Sequence, residues 1–454
     1  MTAHDVRGNP VGSESAAARD AVESATWRLM SFYDTPLADL DAAIAADPAW
    51  PMPHAMKAGF LLSLTEPSQV PLAAAHLDAA QALVQPGVTP ERERAHLEAL
   101  QSLLDGRWSA ACRQWDALLI DHPRDALALQ WAQAWDFYRG DAAQLRARPA
   151  RALPEWDEDD ALFPHVLAMW AFGLEESNLH AAAEDAGRRA LALDSRAPWA
   201  VHAVAHVMEM QGRFDEGAAW LRGHQPQWAE GNGFATHLWW HTALFRLEGL
   251  DIAGTLRVVD GHLAPELLEI GLQRVDAASM LWRLHLMGAD VVERCCALTA
   301  SWPHARDDAG HYAFNDVHAL MPILVAVDLA RAEQCVARAA ARVLAADDVR
   351  RDNHAMARDV GLPLARGLLA FARADFDAAA DLLYAARSGA PRFGGSHAQR
   401  NVIDQTLLAA CARGQGRKAL GRALLNERLL AKPMTPLTAH WASALGTTSE
   451  RAAQ

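Results

Sequence analysis

Apolar and small residues recur every three to four positions along most of this chain, with polar residues between them. This is the spacing of helices that bury one face. In ALDSRAPWAVHAVAHVMEMQ, for example, Trp199, Ala203 and Met210 supply one apolar side. No strict alternation of apolar and polar residues, as expected of strands, competes with this pattern. The pattern therefore predicts an all-α protein.

The predicted helices are interrupted by turn-forming positions at nearly regular intervals. The clearest interruptions lie 34 to 39 residues apart, at Gly106, Gly140, Ser177, Gly212, Gly249 and Gly288. Others fit less well, near Glu66, Ala330 and Ala374. A period of about 34 residues is typical of tetratricopeptide helix–turn–helix repeats. We therefore expect one α-solenoid over residues 24–443, curled around a central pocket, with a disordered segment 1–23 and a flexible tail 444–454.

Charge and composition narrow the range of partners. The 454 residues include 42 Lys and Arg against 56 Asp and Glu, a formal net charge of −14. The chain therefore lacks the basic surface expected of a protein that binds nucleic acid or anionic lipid. It also lacks a run of 18 apolar residues and an N-terminal signal sequence. Its five cysteines include no CxxC pair. These features predict a cytoplasmic protein with reduced thiols that binds neither nucleic acid nor membrane.

Histidines and a glutamate form a stripe on the helix that precedes Gly212. His206 and Glu209 follow His202 by four and seven residues, so all three share one helical face. In a repeat numbered so that Gly212 is position 15, this face lines the concave groove. We interpret His202, His206 and Glu209 as candidate catalytic residues; a hydrogen-bonded polar seam is the structural alternative.

The next repeat carries a second stripe of the same composition. His241 and Glu248 follow His237 by four and eleven residues, again on one face. We interpret these three residues as candidate catalytic residues as well, and Trp240 as a wall of the pocket. In both stripes, the carboxylate would orient the imidazoles or act as a base.

Two later segments add candidate ligand-binding residues. HYAFNDVHALMP contains Asp316, a predicted helix N-cap, and His318. FGGSHAQR reads as a turn followed by a capping box, which would place His397 and Arg400 in the first turn of a helix, where an anion could bind.

Several of these segments, taken in order, resemble the family of tetratricopeptide repeat protein 38. The matching segments are YDTPLADLDAAIAADPAWPMPHAMKAGFLL, HAVAHVMEMQGRFDEG, HLWWHTALFRLE, FNDVHALM and GGSHAQRN. They extend from Tyr33 to Asn401, and Asn401 departs from the aspartate that ends the last motif in the family. The resemblance implies a repeat solenoid and implies no particular reaction.

Two functions fit these residues. In the first, an enclosed pocket lined by His, Glu and Trp binds a small polar or anionic molecule, with acid–base catalysis of a hydrolase, lyase or isomerase type. In the second, an open groove binds a peptide or partner protein without catalysis. A metal ion is a third use of the paired histidines, since His at i and i+4 can ligate Zn²⁺ or Fe²⁺. The sequence specifies no cofactor and no oligomeric state.

Overall fold

The fold is that of a computed structural model, which describes residues 3–302, 309–345, 349–433 and 435–446. The described chain is helical with almost no strand, which confirms the prediction of an all-α protein. None of the described helices combines the length and the apolar character that a membrane span needs. Contacts divide the chain into two compact units, whereas the repeat pattern predicted one body. Hydrophobic cores commonly stop growing beyond about 250–300 residues.

The first unit comprises Met1–Val204, Pro226–Phe234 and Arg350–Asp352. Its elements are β1 (Ala3–His4), β2 (Pro10–Val11), α1 (Ala16–Ser31), α2 (Leu37–Ala46), α3 (Met52–Ser63), α4 (Val70–Ala82), α5 (Glu91–Leu104), α6 (Trp108–Asp121), α7 (Ala126–Arg139), α8 (Ala142–Ala152), α9 (Phe163–Glu175) and α10 (His180–Leu193), with 3₁₀ turns at Pro67–Gln69 and Leu153–Glu155. The two short strands pair antiparallel, with Ala3 opposite Val11. Each helix packs on the next one along the chain.

The second unit comprises Ala205–Gln225, Ala235–Val349 and Asn353–Gln454. Its helices are α12 (Phe214–His224), α13 (Ala235–Glu248), α14 (Ile252–His262), α15 (Gly271–Leu286), α16 (Val292–Ser301), α17 (Ala313–Val325), α18 (Leu329–Val343), α20 (Leu362–Ala372), α21 (Phe376–Arg387), α22 (His397–Arg413), α23 (Lys418–Ala431) and α24 (Pro436–Ala444), with a π turn at Ala357–Gly361 and 3₁₀ turns at Pro265–Leu267 and Ala390–Phe393. Two further helices, α11 (Pro198–Met210) and α19 (Asp352–Met356), and the 3₁₀ turn Gln225–Gln227 each contain a boundary between units.

Alternate helices of the second unit form an inner layer. Helix α13 packs on α15, α15 on α17, and α17 on α20, while α22 packs on α15 and α24 packs on α13. The inner faces of these helices are therefore buried within the unit. Any polar side chain on those faces has to find its partners inside the protein.

Residues 3–23, which we expected to be disordered, contain both strands and the first half of α1. Arg7 is buried and forms a salt bridge with Glu23, and the backbone N–H of Gly12 donates to Glu93 over 2.8 Å. The segment is thus tied to the rest of the first unit. At the other end, α24 extends to Ala444, and residues 447–454 of the expected tail lie outside the described residues.

Most of the predicted helix interruptions lie between two helices of the structure. Several of the turns use the left-handed backbone region, which glycine adopts without strain; Gly140, for example, caps α7 at φ 68°. Asn178 and Leu250 adopt the same region one residue after the predicted Ser177 and Gly249. The prediction near Ala330 was wrong, because that residue lies inside α18 and the turn occurs at Val327.

Candidate functional site

Three histidines converge inside the second unit, and we call them the histidine cluster: His206 on α11, and His237 and His241 on α13. Their ring nitrogens lie within 4.8 Å of one another. The ring centroid of His241 is 4.6 Å from that of His206 and 4.8 Å from that of His237. His206 and His241 are fully buried, and the side chain of His237 is 14% exposed. The structure thus brings together members of both predicted stripes.

Asp276 on α15 orients one imidazole of the cluster. Its Oδ2 lies 2.8 Å from Nδ1 of His237, and its Oδ1 accepts from Nε2 of Gln399 over 3.3 Å. A carboxylate at Nδ1 favours the tautomer with the proton on Nδ1, which leaves the lone pair on Nε2. Nε2 is therefore the nitrogen through which His237 could accept a proton or bind a metal.

Burial also controls the charge of the cluster. It lowers the pKa of His241 well below the usual value, and nearby His206, His237, Arg283 and Lys432 lower it further. A neutral imidazole is the form that binds metals and accepts protons. At neutral pH, His241 is therefore uncharged.

The two predicted glutamates are held by cations from the C-terminal part of the chain. Nζ of Lys432 lies 2.6 Å from Oε1 of Glu209 and 3.7 Å from Oε2 of Glu248. Arg428 forms a salt bridge with Glu248, which also accepts from the hydroxyl of Thr435. Burial raises the pKa of Glu248, but Lys432 and Arg428 outweigh burial and hold it below the usual value. These carboxylates thus take part in a buried ion-pair network, and it is Asp276 that orients an imidazole.

Trp240 and Arg283 lie on the inner faces of α13 and α15. Nε1 of Trp240 donates to the hydroxyl of Ser279 over 2.9 Å, and the guanidinium of Arg283 lies 5.5 Å from the Trp240 ring. Arg283 is fully buried and donates to backbone carbonyls of Ser279 and Ala398. Burial lowers its pKa to about 10, and it therefore stays charged at neutral pH.

Helix α17 contributes His318, while Asp316 has another role than predicted. The N-cap of α17 is Tyr312, and Asp316 lies in the first turn, where it accepts the backbone N–H of Gly310 over 3.0 Å. His318 is buried, and its Nδ1 donates to the carbonyl of Phe314 over 2.8 Å. Burial lowers the pKa of His318 to about 4, and Arg283 and Asp276 act on it electrostatically. His318 therefore lies near the residues that flank the cluster.

The capping box at the start of α22 is confirmed. The side chain of Ser396 accepts the backbone N–H of Gln399, and the side chain of Gln399 accepts the backbone N–H of Ser396. His397 and Arg400 lie in the first turn, as predicted, and Arg400 donates to the carbonyl of Gly395. A side chain at Gly395 would collide with the ring of Phe314, which explains why the turn needs glycine there.

His202, the first member of the first stripe, belongs to the first unit. There its ring lies 4.7 Å from Trp199, 4.9 Å from Phe234 and 5.3 Å from Phe172. Within that unit it therefore packs among aromatic rings, although it precedes His206 by one helical turn.

Several side chains of the second unit keep a buried polar atom that has no hydrogen-bond partner among the described residues, and three of these side chains lie on α11, α15 and α17. The atoms of these three are Oε2 of Glu209, Nε of Arg283 and Nε2 of His318. Buried polar atoms are nearly always satisfied in folded proteins, by the protein, by water or by a ligand. The charge of Glu209 raises the pKa of Arg283, and the charge of Arg283 lowers the pKa of His318. The three side chains therefore belong to one polar region.

Sequence reasoning did not identify Asp276, Arg283, Arg428 and Lys432. A signal exists for the first two, because they stand seven residues apart in VDAASMLWRL, an otherwise mostly apolar stretch, and so share one helical face. Arg428 and Lys432 lie about 180 residues or more from the carboxylates they pair with, and no local pattern relates them.

No family model matches this chain.

Proposed function

We propose that the second unit binds a small polar or anionic molecule in its interior, beside the histidine cluster. The observation that carries this proposal is the set of buried polar atoms on Glu209, Arg283 and His318 that have no partner among the described residues. Leaving such atoms unsatisfied costs about 1–3 kcal/mol each, and more for charged groups. A bound polar molecule that supplies donors and acceptors would remove that cost.

The buried guanidinium of Arg283 favours an anion or a strongly polar molecule. Arg283 supplies a buried positive charge, and its guanidinium fork suits carboxylate or phosphate oxygens. Trp240 supplies an aromatic wall beside it. Because Nδ1 of His318 donates to the carbonyl of Phe314, its neutral imidazole offers Nε2 as a hydrogen-bond acceptor.

His237 and Asp276 are suited to acid–base chemistry on such a molecule. With its Nδ1 proton held by Asp276, the imidazole can take a proton at Nε2 and return it, while the carboxylate stabilises the imidazolium that forms. Hydrolase, lyase and isomerase reactions commonly use such a transfer. We assign the dyad this role within the proposed function.

We further propose that the helices form tetratricopeptide-like hairpins, in line with the sequence period of 34 to 39 residues and with the resemblance to the family of tetratricopeptide repeat protein 38. An inner layer of alternate helices in the second unit supports this arrangement. Concave faces of such repeats also bind peptides, and peptide binding is the competing outcome of the test below.

A thermal-shift panel of small carboxylates, phosphates and sugar phosphates on the full chain tests the proposal. A ligand at 100 times its Kd stabilises the folded chain by about 2.7 kcal/mol, which a shift in Tm reports. We expect at least one stabilising compound, and we expect His318→Gln to weaken its binding tenfold or more by isothermal titration. His285→Gln, on the same unit, is the matched control and should retain it. A silent panel combined with capture of an extended peptide from a peptide library would contradict the proposal.

A further inference from the structure

We infer that the histidine cluster is a binding site for one divalent transition-metal ion, Zn²⁺ in particular, with His206, His237 and His241 as its ligands. The inference concerns the same interior as the proposed function and deepens it. It stands on the geometry of the three imidazoles, and it can hold whether or not an organic molecule binds there.

The distances between the three histidine nitrogens are somewhat longer than those in a zinc site. The three ligand nitrogens lie within 4.8 Å of one another. In a tetrahedral zinc site, each nitrogen lies about 2.0–2.1 Å from the metal, which separates the nitrogens by roughly 3.4 Å. Forming the site therefore requires the three imidazoles to approach one another by rotation about their side-chain bonds. His237 and His241 stand at i and i+4 on α13, a common spacing for two ligands on one helix.

Asp276 provides the support that metal-binding histidines usually have. Its carboxylate lies 2.8 Å from Nδ1 of His237, and Gln399 in turn donates to that carboxylate. A carboxylate behind a ligating imidazole fixes the ring, sets the tautomer and makes the ligand nitrogen more basic.

The surrounding charges are balanced. Arg283 and Lys432, which act on His241, would repel a cation. Lys432 is paired with Glu209 and Glu248, and Arg428 is paired with Glu248. The charges of Glu209 and Asp276 act on Arg283 and favour its charged form. The three cationic side chains of this region are thus matched by three carboxylates, those of Glu209, Glu248 and Asp276.

The ligand set selects the kind of metal and the kind of fourth ligand. Imidazole suits Zn²⁺, Cu²⁺, Ni²⁺ and Fe²⁺, whereas Mg²⁺ and Ca²⁺ require oxygen ligands. Three neutral imidazoles leave the full charge of the ion in place. Any further ligand is therefore expected to be hydroxide or an anionic group of a bound molecule. This preference agrees with the small anion of the proposed function.

Metal titration of the full chain, purified without a His tag and dialysed against a chelator, tests the inference. We expect one equivalent of Zn²⁺ by isothermal titration and by elemental analysis. Co²⁺ should give the strong visible absorption of tetrahedral cobalt in the wild-type protein, a readout that depends on no variant. His241→Gln should abolish stoichiometric binding, and Asp276→Asn should weaken it by about 10–100-fold.

His285→Gln is the control, because His285 lies on α15 in the same unit and packs beside Trp282. It should bind one equivalent of Zn²⁺ like the wild type, and far-UV circular dichroism should show all variants folded. Absence of stoichiometric Zn²⁺ and Co²⁺ binding by the wild type would overturn the inference, as would equal binding by His241→Gln and His285→Gln. No organic ligand is present, so the outcome is distinguishable from that of the anion panel.

Discussion

Charged residues inside the second unit are paired in a buried network, and this pairing decides which carboxylate orients an imidazole. Lys432 and Arg428 both pair with the carboxylate of Glu248, and Lys432 also pairs with that of Glu209. Asp276 instead faces an imidazole. Two glutamates that share helical faces with histidines are thus structural, and an aspartate from another helix takes the orienting role.

Removal of Lys432 tests the structural assignment. Lys432→Ala leaves two buried carboxylates without their shared cation, and we expect a loss of about 3–5 kcal/mol in the free energy of unfolding. Urea unfolding followed by circular dichroism measures it. Adding Glu209→Gln should recover part of the loss, because Glu248 keeps its salt bridge with Arg428 whereas Glu209 has lost the cation it was paired with. The exposed pair of Arg294 with Asp260 is the matched comparison, and Arg294→Ala should cost less than about 1 kcal/mol. Equal effects of the two alanine variants would show that the buried network contributes nothing.

At the scale of elements, the helices follow local rules, and their close contacts depend on single small residues. Asp125, Asp141 and Asp375 cap the N-termini of α7, α8 and α21. Where α9 approaches α8, a Cβ at Gly173 would lie 2.2 Å from the carbonyl oxygen of Leu145. That neighbour is backbone and cannot rotate away, so only glycine allows this approach.

Gly173→Ala should therefore destabilise the protein although alanine favours helix. Overpacking of this kind costs about 1–3 kcal/mol, against a gain of about 0.5–1 kcal/mol in helix propensity. Gly223→Ala in α12 is the control, since nothing lies within 4 Å of its added Cβ, and it should be neutral or stabilising. Thermal and urea unfolding compare the two. A stabilising Gly173→Ala would contradict the close packing of α8 and α9.

Across the whole molecule, buried histidines link stability to pH. Burial lowers the pKa of His165 in the first unit and of His318 in the second to about 4, and it lowers that of His241 as well. The unfolded chain binds protons at these positions near pH 6.5, whereas the folded chain resists them. Between about pH 4 and 6.5 the unfolded state therefore holds more protons, and the free energy of unfolding rises with pH.

We expect chelator-treated protein to gain stability from pH 4.5 to 6.5, with each such histidine adding up to about 1.4 kcal/mol per pH unit, and to level off above pH 6.5. Urea unfolding at several pH values measures this slope. His318→Gln should lower the slope, because one titrating group is removed while the polar side chain is kept. An unchanged slope in that variant would show that His318 titrates alike in the folded and unfolded chain.

Much of the secondary structure could be predicted from the sequence, because helix period, caps and turns are local properties. The apolar spacing predicted helices, the capping box at Ser396 is formed, and the interruptions at Gly106, Gly140 and Gly212 lie between helices. Turns at Leu250 and Val327 were missed by one to three residues, since these residues adopt a left-handed backbone that their type disfavours. That conformation is selected by the packing of the flanking helices rather than by a local preference of the sequence.

Helical spacing alone also determined that His206, and separately His237 and His241, would each share a helical face with a glutamate. Which side chains meet across helices was decided by the tertiary structure. His206 contacts His241, Asp276 contacts His237 from 39 residues away, and Lys432 reaches Glu209 from 223 residues away. A period of 3.6 residues relates positions within one helix, whereas contacts between helices depend on how their buried faces pack, which no local pattern encodes.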